Sequence, residues 1–289
     1  MSIVIDYDLL NRHKVATELL IATPGCFVNW LGLKTDASMF SSADRLEGSV
    51  LPNVPDGGDG VYGGYLEYAS FLTAIEHTSS KKKFTAIELG AGWGPWISAI
   101  GVVCKPVGFE SVDLLGVEAD SEKCNYMRQH LARNGLTGRV INGAAWSDDT
   151  ILKFPVIDSK LDHGAAATST VSQQDYRGHE LQYIDVPAFS LNTICDEMSI
   201  IDYMHWDIQG AERRLALSDP DLLNRRVRYL FIGTHSRPIE GALMEFFFEQ
   251  KWDLLYQHPC HFIYNKESPS IEGMTVSDGE LFWRNPRFA

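Results

Sequence analysis

Positive charge is the first thing this chain is short of. Across 289 residues, 25 Lys+Arg face 38 Asp+Glu, a formal net charge of −13. Nucleic acid and anionic membrane both call for clustered cations, so neither is an expected partner. Long apolar runs are missing as well. The longest uncharged stretch near the N-terminus, Leu19 to Leu33, has 15 residues and includes Pro24, Gly25 and Asn29. A membrane-spanning helix needs roughly 20 mostly apolar residues. The opening MSIVIDYDLL carries no basic charge, which argues against a secretory leader. Cysteines are few and scattered: Cys26, Cys104, Cys124, Cys195 and Cys260 include no C-x-x-C pair to hold zinc and are odd in number. They read as reduced thiols of a cytoplasmic protein. Internal repeats and low-complexity segments are absent apart from Lys81-Lys82-Lys83, which reads as a solvated strand entry. What remains is ordinary globular composition, 45% hydrophobic and 22% charged, enough for one large domain or a domain with an extension.

The chain divides near residue 80. Residues 1–80 read as an N-terminal extension, loop and then helix. Asp44 to Gly64 holds two prolines and six glycines, a loop composition. Tyr65 to Ile75 then carries apolar residues at helical spacing. Phe27, Trp30, Leu31 and Leu33 are expected to cover the core or a second subunit, so a homo-oligomer is allowed. From residue 81 to 289 the pattern alternates. Strands are expected at Phe84–Leu89, Leu114–Glu118, Val140–Ile141, Tyr203–Asp207 and Arg228–Ile232, with a C-terminal group around Leu254-Leu255, Phe262-Ile263 and Leu281-Phe282-Trp283. Helices are expected from Trp96 to about Cys104, stopped by Pro106, and from Ser121 to Asn134, stopped by Gly135. Strands alternating with helices imply right-handed crossovers, hence an α/β fold with a doubly wound, mainly parallel sheet. In such a sheet ligands lie beyond the carboxyl ends of the strands.

Two strand ends carry unusual residues in the first half. Glu88-Leu89-Gly90-Ala91-Gly92-Trp93-Gly94 has glycines that let the chain turn sharply and bring backbone N–H groups to a ligand. The dinucleotide fingerprint G-x-G-x-x-G needs a third glycine five residues after the first. Here that position is Pro95, and Gly94 comes one residue early. Proline offers no N–H to a pyrophosphate, and the acid Glu88 suits an ammonium or sulfonium group better than a diphosphate. At the second strand end, Glu118 is placed to accept hydrogen bonds from ribose hydroxyls. Its separation from Gly90 exceeds the usual dinucleotide spacing, an excess assigned to a lengthened connection over Lys105 to Ser111. The other reading of Glu118 is a charge at the N-terminus of the Ser121 helix, although Asp120 is the better cap.

These two motifs resemble those of class I S-adenosylmethionine-dependent methyltransferases. Asp207-Ile208-Gln209-Gly210-Ala211-Glu212, followed by Gly233-Thr234-His235-Ser236 and Ile239-Glu240-Gly241, resembles the FkbM family of O-methyltransferases, with Gln209 where the family usually has Glu. The resemblance covers roughly residues 84–285. It implies a Rossmann-like fold, the cofactor S-adenosylmethionine, and methylation of a hydroxyl on a sugar or secondary metabolite. It also implies that Glu88, Gly90, Ala91, Gly92, Trp93 and Gly94 surround the methionine part of the cofactor. Glu118, with Ala119 beside it, goes to the ribose. Ala144 and Trp146, within Asn142 to Trp146, lie near the adenine.

Methyl transfer to an alcohol asks the protein to orient the acceptor oxygen and remove its proton. Asp207 and His235 end the fourth and fifth strands and are expected to face one hydroxyl. His235 is the expected base, because an unperturbed imidazole titrates near neutrality. Asp207 would orient that ring or contact the cofactor's amine. His205 is read as a satisfied core residue. A metal held by Asp207 with His205 or His235 is the less favoured variant, since one carboxylate is a poor Mg2+ site. The polar insertion at 158–180 suits a lid, with Tyr176 and Arg177 as acceptor-recognition residues; Tyr62, Tyr65 and Glu67 would close over the cofactor. Two rival functions share the sheet: an NAD-dependent oxidoreductase, opposed by the early glycine and Pro95, and a non-catalytic cofactor-binding module, which needs no paired Asp207 and His235.

Overall fold

The computed structural model describes residues 7–39, 43–55, 61–156, 164–169, 182–268 and 270–288. Its centre is a seven-stranded sheet built from β1 (Lys83–Leu89), β2 (Ser111–Glu118), β3 (Arg139–Asn142), β4 (Ile201–Trp206), β5 (Val227–Thr234), β6 (Asp253–His258) and β7 (Gly279–Arg284). The order across the sheet is β6-β7-β5-β4-β1-β2-β3. Only β7 runs against its neighbours. This is the doubly wound, mainly parallel α/β arrangement expected of the alternating pattern. The chain order reverses between β1 and β4, which makes their carboxyl ends the place for a ligand.

The inner strands are buried on both faces, which is why they read as continuous apolar runs. Phe84 and Ala86 of β1 face one core cluster with α1 (Tyr65–Thr78), α2 (Pro95–Val107) and α3 (Ser121–Arg133). Ile87 and Leu89 face the other, with α4 (Glu212–Ser218) and α5 (Arg237–Glu249). Strand parity therefore puts Glu88 on the Phe84 side, where α2 begins. Pro106 does not stop α2, which runs one residue further, to Val107, before Gly108 closes it at φ 94°. In the last turn a proline removes one N–H and clashes with little beyond it. The spacing between Gly90 and Glu118 is thus filled by helix, not by the extended connection expected over Lys105 to Ser111.

The extension is more ordered than its composition implied. Cys26–Asn29 pairs with Lys34–Asp36 and with Val50–Leu51 in a small sheet. Phe27, Trp30, Leu31 and Leu33 are buried in the same cluster as Tyr68, Phe71 and Trp96, so they cover the core of their own chain. Asn134, capping α3, exchanges two hydrogen bonds of 2.9 Å with the backbone of Lys34, and Arg133 pairs with Asp36 at 2.6 Å. A second small sheet of Ala144–Ala145, Thr150–Pro155 and Tyr183–Phe189 stands beyond β3 and walls one side of the cleft. Most of the 158–180 insertion, including Tyr176 and Arg177, lies outside the described residues. Among the described residues no helix is long and apolar enough to cross a membrane.

Candidate active site

Two cavities meet at the carboxyl ends of β1 and β4. The first, of about 210 Å³, is lined by Glu88, Gly90, Ala91, Gly92 and Trp93, by Glu118 and Ala119, by Ala144 and Trp146, and by Asp207. Every residue expected around the cofactor is thus brought to one cavity except Gly94. That glycine sits at φ 71° as the N-cap of α2, where a Cβ would come within 2.5 Å of Met127. Its reason is packing under the helix.

Gly90 has the most stringent reason of the three glycines. At φ 70°, a Cβ there would lie 1.8 Å from the backbone oxygen of Asp207. Only glycine lets the β1 and β4 ends approach this closely. Gly92, at φ 53°, faces open space and donates its N–H to Glu118 Oε2 at 2.7 Å. The other oxygen of Glu118 accepts the Asp120 N–H at 2.7 Å, while Asp120 caps α3 through the Glu122 N–H. Glu118 is therefore a cavity-facing carboxylate, and burial pushes its carboxyl above the ordinary range. Glu88 is 2% exposed and accepts the N–H groups of Ile97 at 2.9 Å and Trp96 at 3.5 Å. Burial outweighs those hydrogen bonds and pushes its carboxyl well up; a cation alongside would relieve that. Trp146 carries the guanidinium of Arg214 4.7 Å above its ring and, with Ala144, Ala145 and Phe154, offers a flat apolar wall.

The second cavity, of about 670 Å³, opens beside the first and is lined among others by Glu67, Asp278, Glu280, Gln257 and His258. Glu67, His205 and Asp207 line both cavities. The expected pairing of Asp207 with His235 is present: Nε2 of His235 lies 3.1 Å from Asp207 Oδ1. Its other nitrogen, Nδ1, lies 2.8 Å from Oε1 of Glu212, a residue with no exposure. Two carboxylates, one on each ring nitrogen, require both nitrogens to donate, and that ring is an imidazolium. Burial opposes the charge, yet the charge of Glu212 and the hydrogen bonds to Asp207 and Glu212 outweigh it and raise the ring well above the usual histidine range. A ring charged at neutral pH has no lone pair for an acceptor's proton, so this geometry favours a contact role over the expected role of base. His235 bridges Asp207 and Glu212. Burial would raise that carboxyl, but the hydrogen bond and charge of His235, with the Gln209 amide donating at 2.7 Å, hold it low. Asp207 stays ionised with 45% of its side chain exposed. Gln209 sits at φ 52° followed by Gly210 at φ 102°, a strained turn that aims this amide at Asp207.

His205 also departs from expectation. It is 2% exposed and stacks on Phe231 with ring centroids 4.9 Å apart, as a core residue would. Neither ring nitrogen has a hydrogen-bond partner among the described residues. Its Nε2 is 3.6 Å from Glu67 Oε1, just too far for a hydrogen bond. Burial, partly opposed by Asp207, lowers its pKa to about 4, so the ring is neutral at pH 7 and its acceptor nitrogen is available. Strand parity alone cannot separate such a ring from a satisfied one. Glu212, Asp278 and Glu280 were not singled out from sequence; Glu212 closes the D-I-Q-G-A-E motif, which is the one signal that pointed near it. Among the described residues no three His, Cys, Asp or Glu side chains converge as ligands for a metal ion.

Residues 95–257 match the model of the methyltransferase FkbM domain. A protein of Jannaschia sp. (strain CCS1), by name a presumed methyltransferase, is 28% identical over 274 residues, covering 92% of this chain and 94% of its own length. Solved structures that align with the chain include a precorrin-6y C5,15-methyltransferase from Geobacter metallireducens GS-15, with TM-score 0.43 and 8% identity over 80% of this chain and 93% of that one. Another is the N-terminal domain of human METTL16 in complex with SAH, with TM-score 0.41 and 14% identity over 76% of this chain and 70% of that one.

Proposed function

The chain belongs to the methyltransferase FkbM family, and on that premise we propose that it is a cytoplasmic, S-adenosylmethionine-dependent O-methyltransferase acting on a hydroxyl of a sugar or secondary metabolite. The observation that carries the reading is the junction of the two cavities at Glu67, His205 and Asp207. One cavity fits the cofactor and the other leaves room for an acceptor.

The fit of the first cavity is chemical. Glu88 is a buried carboxyl raised for want of a cation, which matches an amino group or a positively charged sulfur. Glu118 lies where ribose hydroxyls can donate to the lone pairs its backbone partners leave. The Trp146 wall suits a heterocycle. Bound there, S-adenosylmethionine supplies an already activated methyl group. The chain's own residues orient and deprotonate. Asp207, ionised and half exposed, accepts a hydrogen bond from the acceptor hydroxyl and sets its direction. His235, pinned by Glu212, keeps Asp207 in place. His205, neutral and unpartnered, takes the proton at a ring nitrogen, the role first expected of His235.

The test is a calorimetric titration with S-adenosylhomocysteine, with NAD in parallel. Micromolar affinity for the former alone, reduced at least tenfold in Glu118→Ala, is the expected result. Binding of NAD alone would refute the cofactor assignment. The acceptor type is then read by mass spectrometry of methylated products from a panel of sugars and glycosides; methylation at nitrogen or carbon only would refute the O-methyl reading.

A further inference from the structure

The second cavity has a chemistry of its own. Among the described residues its lining includes Glu67, Asp207, Asp278 and Glu280 and no lysine or arginine. Asp207 is answered by His235, and Glu67 accepts the Gly64 N–H at 2.8 Å through Oε2. The other two acids differ. No hydrogen bond within the described residues reaches Glu280, and Asp278 comes only within 4.0 Å of His235. Glu280 stands on β7 beside His258 of β6 in register and shares the approach to Gly64 with Glu67: a Cβ on Gly64 would lie 3.2 Å from Glu280 Oε1. Two carboxylates from separate elements thus converge on one wall of the cavity. Burial first, and the charge of Glu67 second, push the Glu280 carboxyl up to about 8. His205 lines the same cavity, buried, and neither of its ring nitrogens has a hydrogen-bond partner among the described residues.

We propose that this cavity is the acceptor site and that it selects a hydroxylated molecule carrying a protonated amine, such as an amino sugar, with the ammonium held by Glu280 and Asp278 and a hydroxyl presented to His205. The assignment rests on the O-methyltransferase reading above and names its substrate class. An anionic acceptor, a phosphate or uronate, would meet Glu67, Asp207, Asp278 and Glu280 with the His235 imidazolium already held between Asp207 and Glu212, so repulsion would prevail. A neutral polyol would leave the Glu280 carboxyl protonated and without a counter-charge. An ammonium supplies that counter-charge and makes charge-assisted hydrogen bonds with Glu280 and Asp278. An ammonium also has no lone pair, so the nitrogen serves as a handle and the oxygen remains the nucleophile.

The test uses the full chain saturated with S-adenosylhomocysteine and titrated at neutral pH with kanamycin, a glycoside bearing several amines. Its fully N-acetylated form and maltotriose serve as uncharged controls of similar size. Kanamycin is expected to bind at least tenfold tighter than either control. Its binding is also expected to release a proton, read as a dependence of the heat on buffer ionisation enthalpy, because an ammonium beside Glu280 ionises a carboxyl that burial and the charge of Glu67 keep protonated. Glu280→Gln, which mimics the protonated carboxyl and so preserves the fold, is expected to cut the preference below threefold, abolish the proton release, and leave S-adenosylhomocysteine affinity within twofold. Equal or undetectable binding of all three glycosides overturns the proposal, as does a preference that survives Glu280→Gln. Failure of S-adenosylhomocysteine itself to bind removes the methyltransferase reading and this proposal with it.

Discussion

Removing the His235 ring is the most informative single change to the site, because it separates a charged clamp from a free base. His235→Ala leaves Glu212 with no exposure and no cation, and leaves Asp207 facing it without the ring between them. Stripping one partner from a buried charge pair costs about 3–5 kcal/mol, since the remaining charge is left desolvated. Asp207 is 45% exposed and recovers hydration, so the lower end, about 3 kcal/mol, is expected. For a chain of this size that corresponds to a fall in Tm of roughly 5 °C. The assay is urea unfolding of wild type, His235→Ala and the double variant His235→Ala/Glu212→Gln. Neutralising Glu212 should restore about half of the loss or more, a coupling that independent residues would not give. The pH dependence has a definite sign. A histidine raised in the folded state contributes fully below its unfolded pKa, roughly 6.5, and the contribution fades as pH climbs through the folded value. The stability gap between wild type and His235→Ala should therefore be widest near pH 6 and shrink in alkaline buffer. A loss under 1 kcal/mol that the double variant does not relieve, or a gap that widens with pH, would refute the clamp and return His235 to the role of base.

His205→Phe fills the slot between Trp96 and Phe231 without a nitrogen, so Tm should hold within 2–3 °C or so while turnover drops by about 10²-fold or more; unchanged turnover in a methyl-transfer assay dismisses His205. Gly90→Ala sets a Cβ against the Asp207 carbonyl at a positive φ, so S-adenosylhomocysteine affinity by calorimetry should fall at least tenfold; wild-type affinity would show that the two strand ends separate freely. Gln209→Glu replaces the amide that donates to Asp207 with a like charge, so the acidic limb of the kcat/KM profile should move to higher pH; an unmoved limb would mean Asp207 does not set it.

The parts of the fold that were legible are those whose physics is local. β1 and β2 are inner parallel strands, so burial on both faces wrote them as unbroken apolar runs, and each run ended in a residue the strand itself does not need, Gly90 or Glu118. The small sheet of the extension was not legible, because Cys26–Asn29, Lys34–Asp36 and Val50–Leu51 are too short for a period to register. The lining of the first cavity was readable for the same local reason, its residues following the strand ends in order. That of the second was not. Glu67 precedes β1 in the first turn of α1, Glu280 lies more than 200 residues further on a reversed strand, and no motif joins them. The protonation states escaped for a different reason: that His235 has two carboxylates within hydrogen-bond reach, while His205 has Glu67 at 3.6 Å and no hydrogen-bond partner among the described residues, is a property of tertiary packing, and both residues look alike as histidines near the ends of strands.

The low pKa of His205 poses a question of mechanism, since a ring that protonates near pH 4 is a weak base for an alcohol. The answer lies in Glu67. Its Oε1 stands 3.6 Å from Nε2, and closing that gap to an ordinary hydrogen-bond length of about 2.8 Å converts a loose contact into a charge-assisted bond that is strongest with the protonated ring. Glu67 is fastened to the Gly64 N–H, so the first turn of α1 moves with it, by less than 1 Å or so. Water leaving the cavity on acceptor binding strengthens the same attraction. The pair should then act as a unit. Glu67→Gln keeps the hydrogen bond to Gly64 available through its carbonyl oxygen but removes the charge, and should lower kcat by about 10-fold or more while leaving S-adenosylhomocysteine affinity unchanged. Combined with His205→Phe it should cost little beyond the histidine change alone, because the carboxylate matters only when there is an imidazolium to stabilise. Fully additive losses in that double-mutant cycle would mean that Glu67 serves the acceptor directly, and that His205 acts without a partner.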